Sequence, residues 1–416
     1  MRFKHLRSPG SASIGIWLLL SGLPCLAATP ERGAVLEATT LADYSRADIE
    51  TRLGQRKSFI GTPRCDVRLV SLRYQTIGVK GEPATASAML LVPHGEQCAG
   101  PLPLLGWARP TETRRDSAQA DETLEDGQSG LADFFATQGY VVVASDYLGL
   151  GHSDYAYHPY LHADSEASAV IDALRAARNL ATPQGISLSG KVMLAGYSQG
   201  GHAAMATQRA IEKDFSNEFN LVASVPMSGP YAVENTFLHG WSGTSAKGRN
   251  SLAPYLFAYA AVAMQRVYGN LYSAPQELFQ APYAGQLEAS FPGTMDLSAL
   301  SRTLRLPIDG LRQPAFVEAF AHDPAHPLRQ DLRQNDLLDW TPRTPTLLCG
   351  AGRDAVVEFA NAETASAAFN ARGAHVQVLN VDAQIPPTVD GVAIHTGWGS
   401  FLCMGAARQQ VFDQAR

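Results

Sequence analysis

Apolar positions along this chain recur with two different periods, and the order of those periods outlines a fold. Val67–Tyr74 and Ala84–Val92 alternate apolar and polar residues on either side of a turn at Gly81, which predicts an antiparallel strand pair. Leu102–Trp107 and Val141–Ser145 are short continuous apolar runs, the pattern of strands buried on both faces. Leu131–Thr137 has helical spacing, and Ser165–Leu180 repeats Ala, Leu and Ile at the helical period. A strand Lys191–Gly196, a helix Gln199–Lys213 and a strand Leu221–Pro226 follow. The order then breaks between Ala232 and Asp339, a stretch rich in Pro, aromatic residues and helical patches such as Leu252–Met264. It resumes with strand Thr344–Gly350, helix Glu358–Ala371, strand His375–Val381 and a last helix near Ser400–Phe412. Repeated strand-helix-strand order predicts a mostly parallel sheet with helices on both faces. The expected division is therefore one α/β domain over 29–231 and 340–416, interrupted by an inserted helical segment at 232–339. The polar stretch ahead of Val67 carries no predicted strand.

The first 28 residues stand apart. Arg2, Lys4 and Arg7 precede an apolar run from Ile14 to Leu23, and Cys25-Leu26-Ala27-Ala28 ends it with small residues. This is the pattern of a secretory signal peptide, with an apolar run too short to span a bilayer. A buried helix, or a lipid anchor on Cys25, are the other readings; Gly22-Leu23-Pro24 is a poor context for the latter. No other apolar run is long enough to cross a membrane, so an exported, soluble, monomeric protein, extracellular or periplasmic, is expected.

Composition narrows the partners. The 416 residues are 45% hydrophobic and 17% charged, which excludes a disordered chain. The net charge is −6, and removing residues 1–28 takes away three cations and no acids, leaving −9. An acidic chain without a basic stripe does not suit nucleic acid. Four cysteines follow the leader: Cys65, Cys98, Cys349 and Cys403. None forms a C-x-x-C pair, so zinc has no support, and export favours two disulfides. Three connectivities are possible. Cys65–Cys98, around the opening hairpin, and Cys349–Cys403, in the C-terminal third, are the expected pairs.

The most specific segment is Gly196-Tyr197-Ser198-Gln199-Gly200-Gly201-His202, where an apolar strand ends in Gly-x-Ser-x-Gly and a helix begins at once. That is the setting of a nucleophile elbow, whose tight turn demands small residues two positions before and after the serine. A plain Gly-rich turn is the alternative. The helix that follows would aim backbone N–H groups at a developing oxyanion, with Gln199 as first donor. Serine needs a base oriented by an acid, in the order Ser, Asp, His. Asp354 lies just beyond the strand Thr344–Gly350 and is the expected acid, with helix capping as its other possible use. Of the two later histidines, His375 opens a strand, whereas His395 follows that strand in a loop and is the expected base. The second oxyanion donor should come from the loop after Leu102–Trp107. Pro110 has no N–H, which leaves Thr111 as candidate donor or as an ordinary loop residue. Asp146, in Asp146-Tyr-Leu-Gly149-Leu-Gly151, reads as a loop-organising acid. His158, His162 and Asp164 match no defined metal spacing, and capping by Asp164 or Ser165 is the expected use. No cofactor is expected.

These motifs together, with Gly229-Pro-Tyr and the late Asp354 and His395, resemble the secretory lipases similar to Candida lipase A. They are closer still to the secreted lipase/esterases of plant-pathogenic xanthomonads. The resemblance covers most of the chain beyond the leader. It implies an α/β-hydrolase core, a helical lid between strand Leu221–Pro226 and the acid, and carboxylic-ester substrates, whether lipids or acylated cell-wall polymers. Members often carry His-Gly in the first oxyanion loop; here Arg109-Pro110 stands in its place, which leaves the second donor open. Two other functions compete. A serine aminopeptidase of the same fold would need an acidic anchor in the insertion, for which Glu277 and Glu288 are candidates. A non-catalytic binding module would be expected to lack one of the three catalytic residues.

Overall fold

The computed structural model describes Met1 and residues 31–126, 129–242 and 250–416. All of the expected signal peptide except Met1 lies outside the described residues. Nine strands form a single sheet: β1 (Val35–Tyr44), β2 (Asp66–Ile77), β3 (Pro83–His94), β4 (Leu102–Ala108), β5 (Val141–Ser145), β6 (Leu188–Tyr197), β7 (Asn220–Met227), β8 (Leu347–Gly350) and β9 (Gln377–Asn380). Their order across the sheet is β1-β2-β3-β5-β4-β6-β7-β8-β9. Pairing is antiparallel from β1 to β5 and parallel from β5 to β9. The parallel part places the carboxyl ends of β4, β6, β7 and β8 side by side, with Ala108 opposite Gly196 and Met227 opposite both Tyr197 and Cys349. In sheets of this kind, ligands bind beyond those ends.

β1 departs from the sequence reading, which had only a polar stretch there. None of its ten residues is buried, so neither face imposes an apolar alternation, and backbone pairing with β2 holds it as the sheet edge.

Side chains of alternating strand positions feed two cores. Leu104, Val141, Val143, Val192 and Leu194 face α4 (Ala163–Ala181) and α5 (Gln199–Asp214). On the other face, Leu105, Trp107, Val142, Met193 and Ala195 pack with Phe134, Phe135, Leu402 and Phe412. These last residues come from α3 (Ser129–Phe134), the turn after it, and a terminal helical run from Gly391 to Ala415. Two short helices, α1 (Arg46–Leu53) and α2 (Lys57–Ile60), link β1 to β2.

Between β7 and β8 the chain leaves the sheet for α6 (Val233–Ser242), α7 (Ala253–Tyr268), α8 (Ala284–Ser290), α9 (Leu297–Leu304), α10 (Pro314–His322) and α11 (Pro327–Gln334). These helices carry a core of their own around Tyr259, Val262, Phe279, Phe291 and Phe320. After β8, α12 (Ala360–Asn370) returns to the sheet. Cys65 is bonded to Cys98 and Cys349 to Cys403; the second bond ties β8 to the terminal helical run. Among the described residues, no helix is long and apolar enough to cross a membrane.

Candidate active site

β6 runs directly into α5, and Ser198 is the residue between them. Its backbone stands at φ 58° and ψ −120°, a left-handed setting that non-glycine residues seldom adopt. Packing over the turn enforces it. A Cβ on Gly196 would lie 2.1 Å from the Gly200 carbonyl oxygen, and one on Gly200 would lie 2.0 Å from that of Ala108. Gly201 is equally confined, 2.4 Å from the Met227 carbonyl oxygen. The loop after β4 therefore lies against the start of α5, a close approach that only glycine permits.

Three residues far apart in sequence meet here. Ser198 Oγ lies 2.8 Å from His395 Nε2, and His395 Nδ1 lies 2.7 Å from Asp354 Oδ2. The other carboxylate oxygen of Asp354 accepts the N–H groups of Val356 and Val357 at 2.8 and 3.0 Å. Asp354 thus holds its own turn and orients the imidazole at once. All three residues are buried, and the Tyr197 ring lies 5.2 Å from that of His395. The arrangement can accept a proton from the serine hydroxyl and return it to a leaving group.

His395 is not in a loop as expected. Asp390 caps a helical start at Gly391, accepting the Val392 and Ala393 N–H groups, and His395 sits within the π-helical turn Ile394–Trp398. Gly391, Gly397 and Gly399 masked the helix in the sequence, since glycine is a poor helix former. His375 does not open a strand as expected: it is exposed and lies ahead of β9, which begins at Gln377.

Gln199 is the first residue of α5 and is buried, its amide side chain turned into a polar cluster beneath the helix start. Thr111 Oγ1 lies 3.0 Å from the Tyr160 hydroxyl. Arg109 is buried and donates to Asp146 at 2.7 Å and to the Ser117 carbonyl at 2.9 Å. Asp146 also accepts the Gln119 N–H and the Ser87 hydroxyl, each at 2.7 Å. The pair fastens the loop after β4 to the loop after β5, so Arg109 serves as a structural cation.

The remaining histidine and acid candidates have other work. His158 Nδ1 donates to the Leu148 carbonyl at 2.9 Å, and burial lowers its pKa to about 4. His162, not Asp164 or Ser165, caps α4, its ring nitrogen accepting the Ser165 N–H. Among the described residues no cluster of His, Cys, Asp or Glu is arranged to hold a metal. Glu277 accepts the Ser273 and Ala274 N–H groups and is exposed, while Glu288 accepts the Tyr272 hydroxyl at 3.0 Å. Both acids serve contacts among the inserted residues. Sequence reasoning missed Glu166 and His202, two buried ionisable side chains joined at 2.7 Å beneath the elbow. The only sequence signal was their position on helices otherwise rich in Ala.

The inserted helices reach three neighbouring loops. The Tyr259 hydroxyl donates to the Glu112 carbonyl, the Tyr259 and Tyr160 rings stack at 4.4 Å, and Asn250 donates to the Ala355 carbonyl. A cavity of about 300 Å³, lined among others by Thr236, Leu256, Phe257, Val356 and Asn361, lies between α6, α7 and the chain just after Asp354.

Comparison with known proteins agrees with this architecture. The secretory lipase family model matches residues 131–236. A crystal structure of the rice cell wall degrading esterase LipA from Xanthomonas oryzae superposes with a TM-score of 0.88. It is 48% identical, over 93% of this chain and 100% of that one. A putative hydrolase from Legionella pneumophila is 24% identical, over 90% of this chain and 99% of its own, with a TM-score of 0.76. Candida antarctica lipase A in its closed state is 19% identical, over 88% of this chain and 79% of its own, with a TM-score of 0.63; these two likenesses concern the fold. No curated protein matches the sequence. With near-half identity along almost its whole length to that esterase, and the family's model over the elbow, this chain belongs to the secretory lipase family and is an ester hydrolase of the α/β-hydrolase fold.

Proposed function

We propose that the chain is an exported carboxylic-ester hydrolase acting through an acyl-enzyme on Ser198. Ser198 Oγ attacks the ester carbonyl while its proton passes to His395 Nε2. The protonated imidazole, oriented and stabilised by Asp354, then protonates the departing alcohol. Water attacks the acyl-enzyme by the same route in reverse, His395 taking its proton, and the acid leaves. The Gln199 N–H and the positive end of α5 face the charge that develops on the carbonyl oxygen, and the Thr111 N–H is our choice for second donor. The observation that carries this reading is His395 bonded on one nitrogen to Ser198 at 2.8 Å and on the other to Asp354 at 2.7 Å.

Residues 29–231 and 340–416 are read as one catalytic domain and 232–339 as its lid, a division supported by the separate core of the inserted helices and their contacts with the loops beside Ser198. Export after loss of residues 1–28 is supported by the leader pattern and the two disulfides. We take the working form to be a monomer. Likeness to an esterase described as degrading rice cell wall favours acylated cell-wall polymers as substrates, with lipid esters as the second class.

The test is a p-nitrophenyl acyl series from acetate to palmitate, run beside an acetylated or feruloylated polysaccharide. The native protein should hydrolyse the esters and release acid from the polymer. Ser198→Ala should lose about 10⁴-fold or more in kcat. Retention of native activity by Ser198→Ala would overturn the mechanism, and hydrolysis confined to long-chain esters would shift the substrate class to lipids.

A further inference from the structure

Beneath the elbow lies a buried polar cluster that the acyl-transfer steps do not use. Glu166, in the first turn of α4, has a side chain without exposed surface, as does His202 in α5. One Glu166 oxygen accepts from Gln199 Nε2 at 2.8 Å and from the Leu161 N–H at 3.2 Å. The other meets His202 Nδ1 at 2.7 Å. Gln199 Nε2 also lies 2.7 Å from His158 Nε2. Because His158 Nδ1 donates to Leu148 and burial keeps the ring neutral, its Nε2 is an acceptor. The amide nitrogen of Gln199 therefore spends one proton on each neighbour, and its orientation is fixed from two sides.

His202 extends the cluster to the inserted helices. Its Nε2 lies 2.9 Å from the Asn335 carbonyl oxygen, so each ring nitrogen is held against a partner, Glu166 on one side and Asn335 on the other. Asn335 ends α11; its side chain accepts the Ala163 N–H at 2.9 Å and donates to the Tyr268 hydroxyl in α7 at 3.0 Å. A buried polar contact of this kind contributes little net stability but fixes geometry, since either partner alone would be left unsatisfied.

The first N–H of a helix has no partner within the helix. That leaves it free to meet an anion, and also leaves its direction to whatever else grips the residue. For Gln199 the grip is its own side chain.

We propose that Glu166 is a positioning residue of this site: it clamps the Gln199 side chain, so aiming the Gln199 N–H at the developing oxyanion, and through His202 links that N–H to Asn335 at the end of the inserted helices. The inference rests on the reading above that this N–H faces the oxyanion.

Glu166→Met and Gln199→Met, each normalised to sites titrated with a fluorophosphonate, separate positioning from folding. kcat and KM are measured on p-nitrophenyl butyrate, and Ki for an alkyl trifluoromethyl ketone, whose adduct with serine carries an oxyanion. We expect kcat per titrated site to fall roughly 10- to 100-fold in both variants, KM to stay within about threefold, and ketone affinity to fall in parallel with kcat. Native kcat per titrated site in either variant, or a fall in kcat with ketone affinity unchanged, would overturn the inference. If Ser198→Ala abolishes activity while these variants retain it, only the positioning role fails; if Ser198→Ala stays active, the acyl-enzyme reading itself fails.

Discussion

Ser198 is held in a conformation that costs on the order of 1–3 kcal/mol, and its neighbours sustain it. Gly200 is the tightest point, because the atom a side chain would strike is the Ala108 backbone oxygen, not a movable side chain. Gly200→Ala should therefore push β4 and α5 apart and displace the serine. The expected result is at least about a 100-fold loss of ester hydrolysis, with a fall in melting temperature that calorimetry would detect. Native activity in Gly200→Ala would show that the turn relaxes at no cost. The small residues around Ser198 were readable from the sequence because a local motif imposes them. The Glu166–His202 pair was not, because its partners come from α4, α5 and the end of the insertion.

At the scale of elements, buried strands declared themselves and exposed ones did not. β5, with all five residues buried, stands out as an apolar run, whereas β1 has no buried position and no pattern to read. The terminal helical run was truncated in the sequence reading by its glycines, which tertiary packing overrides: Gly399 is buried against the Tyr197 hydroxyl, and a Cβ there would lie 2.7 Å from it. α11 carries a pH dependence of its own. Asp331 is buried, its Oδ1 accepts from Asn270 at 3.0 Å, and burial raises its pKa from 3.8 to about 6. The raised value means that the folded state favours the protonated acid, so stability present below about pH 4 is lost as pH rises through 6. Asp331→Asn should consequently be the more stable protein at pH 8, by about 1–2 kcal/mol in urea titrations, with the difference closing near pH 4. An unchanged or lower stability at pH 8 would contradict the assignment.

Across the whole molecule, the residues proposed to catalyse come from three parts of the chain, and the links between those parts matter as much as the residues. Cys349, in β8 a few residues before Asp354, is bonded to Cys403 in the helical run that carries His395. Cys65–Cys98 lies instead at the opening hairpin. Replacing both members of either pair with alanine should lower stability by roughly 2–4 kcal/mol. Loss of Cys349–Cys403 should also inactivate the protein at temperatures where its circular dichroism is still native, while loss of Cys65–Cys98 should let activity and structure fall together. Thermal scans paired with residual ester hydrolysis would tell the two apart.

By itself, the sequence determined the strand-helix alternation, the elbow around Ser198, the order in which Asp354 and His395 follow it, and the place where the sheet is interrupted. Each is a local consequence of burial period or turn sterics, and such signals survive in a linear reading. Only the tertiary structure decided that β1 completes the sheet, that His395 projects from a helical turn, and that Arg109 is bound to Asp146. It alone decided, too, that Gln199 is gripped through Glu166 and His202 by the end of the insertion. These depend on which distant groups a buried polar atom finds as partners. A single side chain's position in the sequence carries no record of that choice, because a hydrogen bond is satisfied equally well by a neighbour or by a residue a hundred positions away.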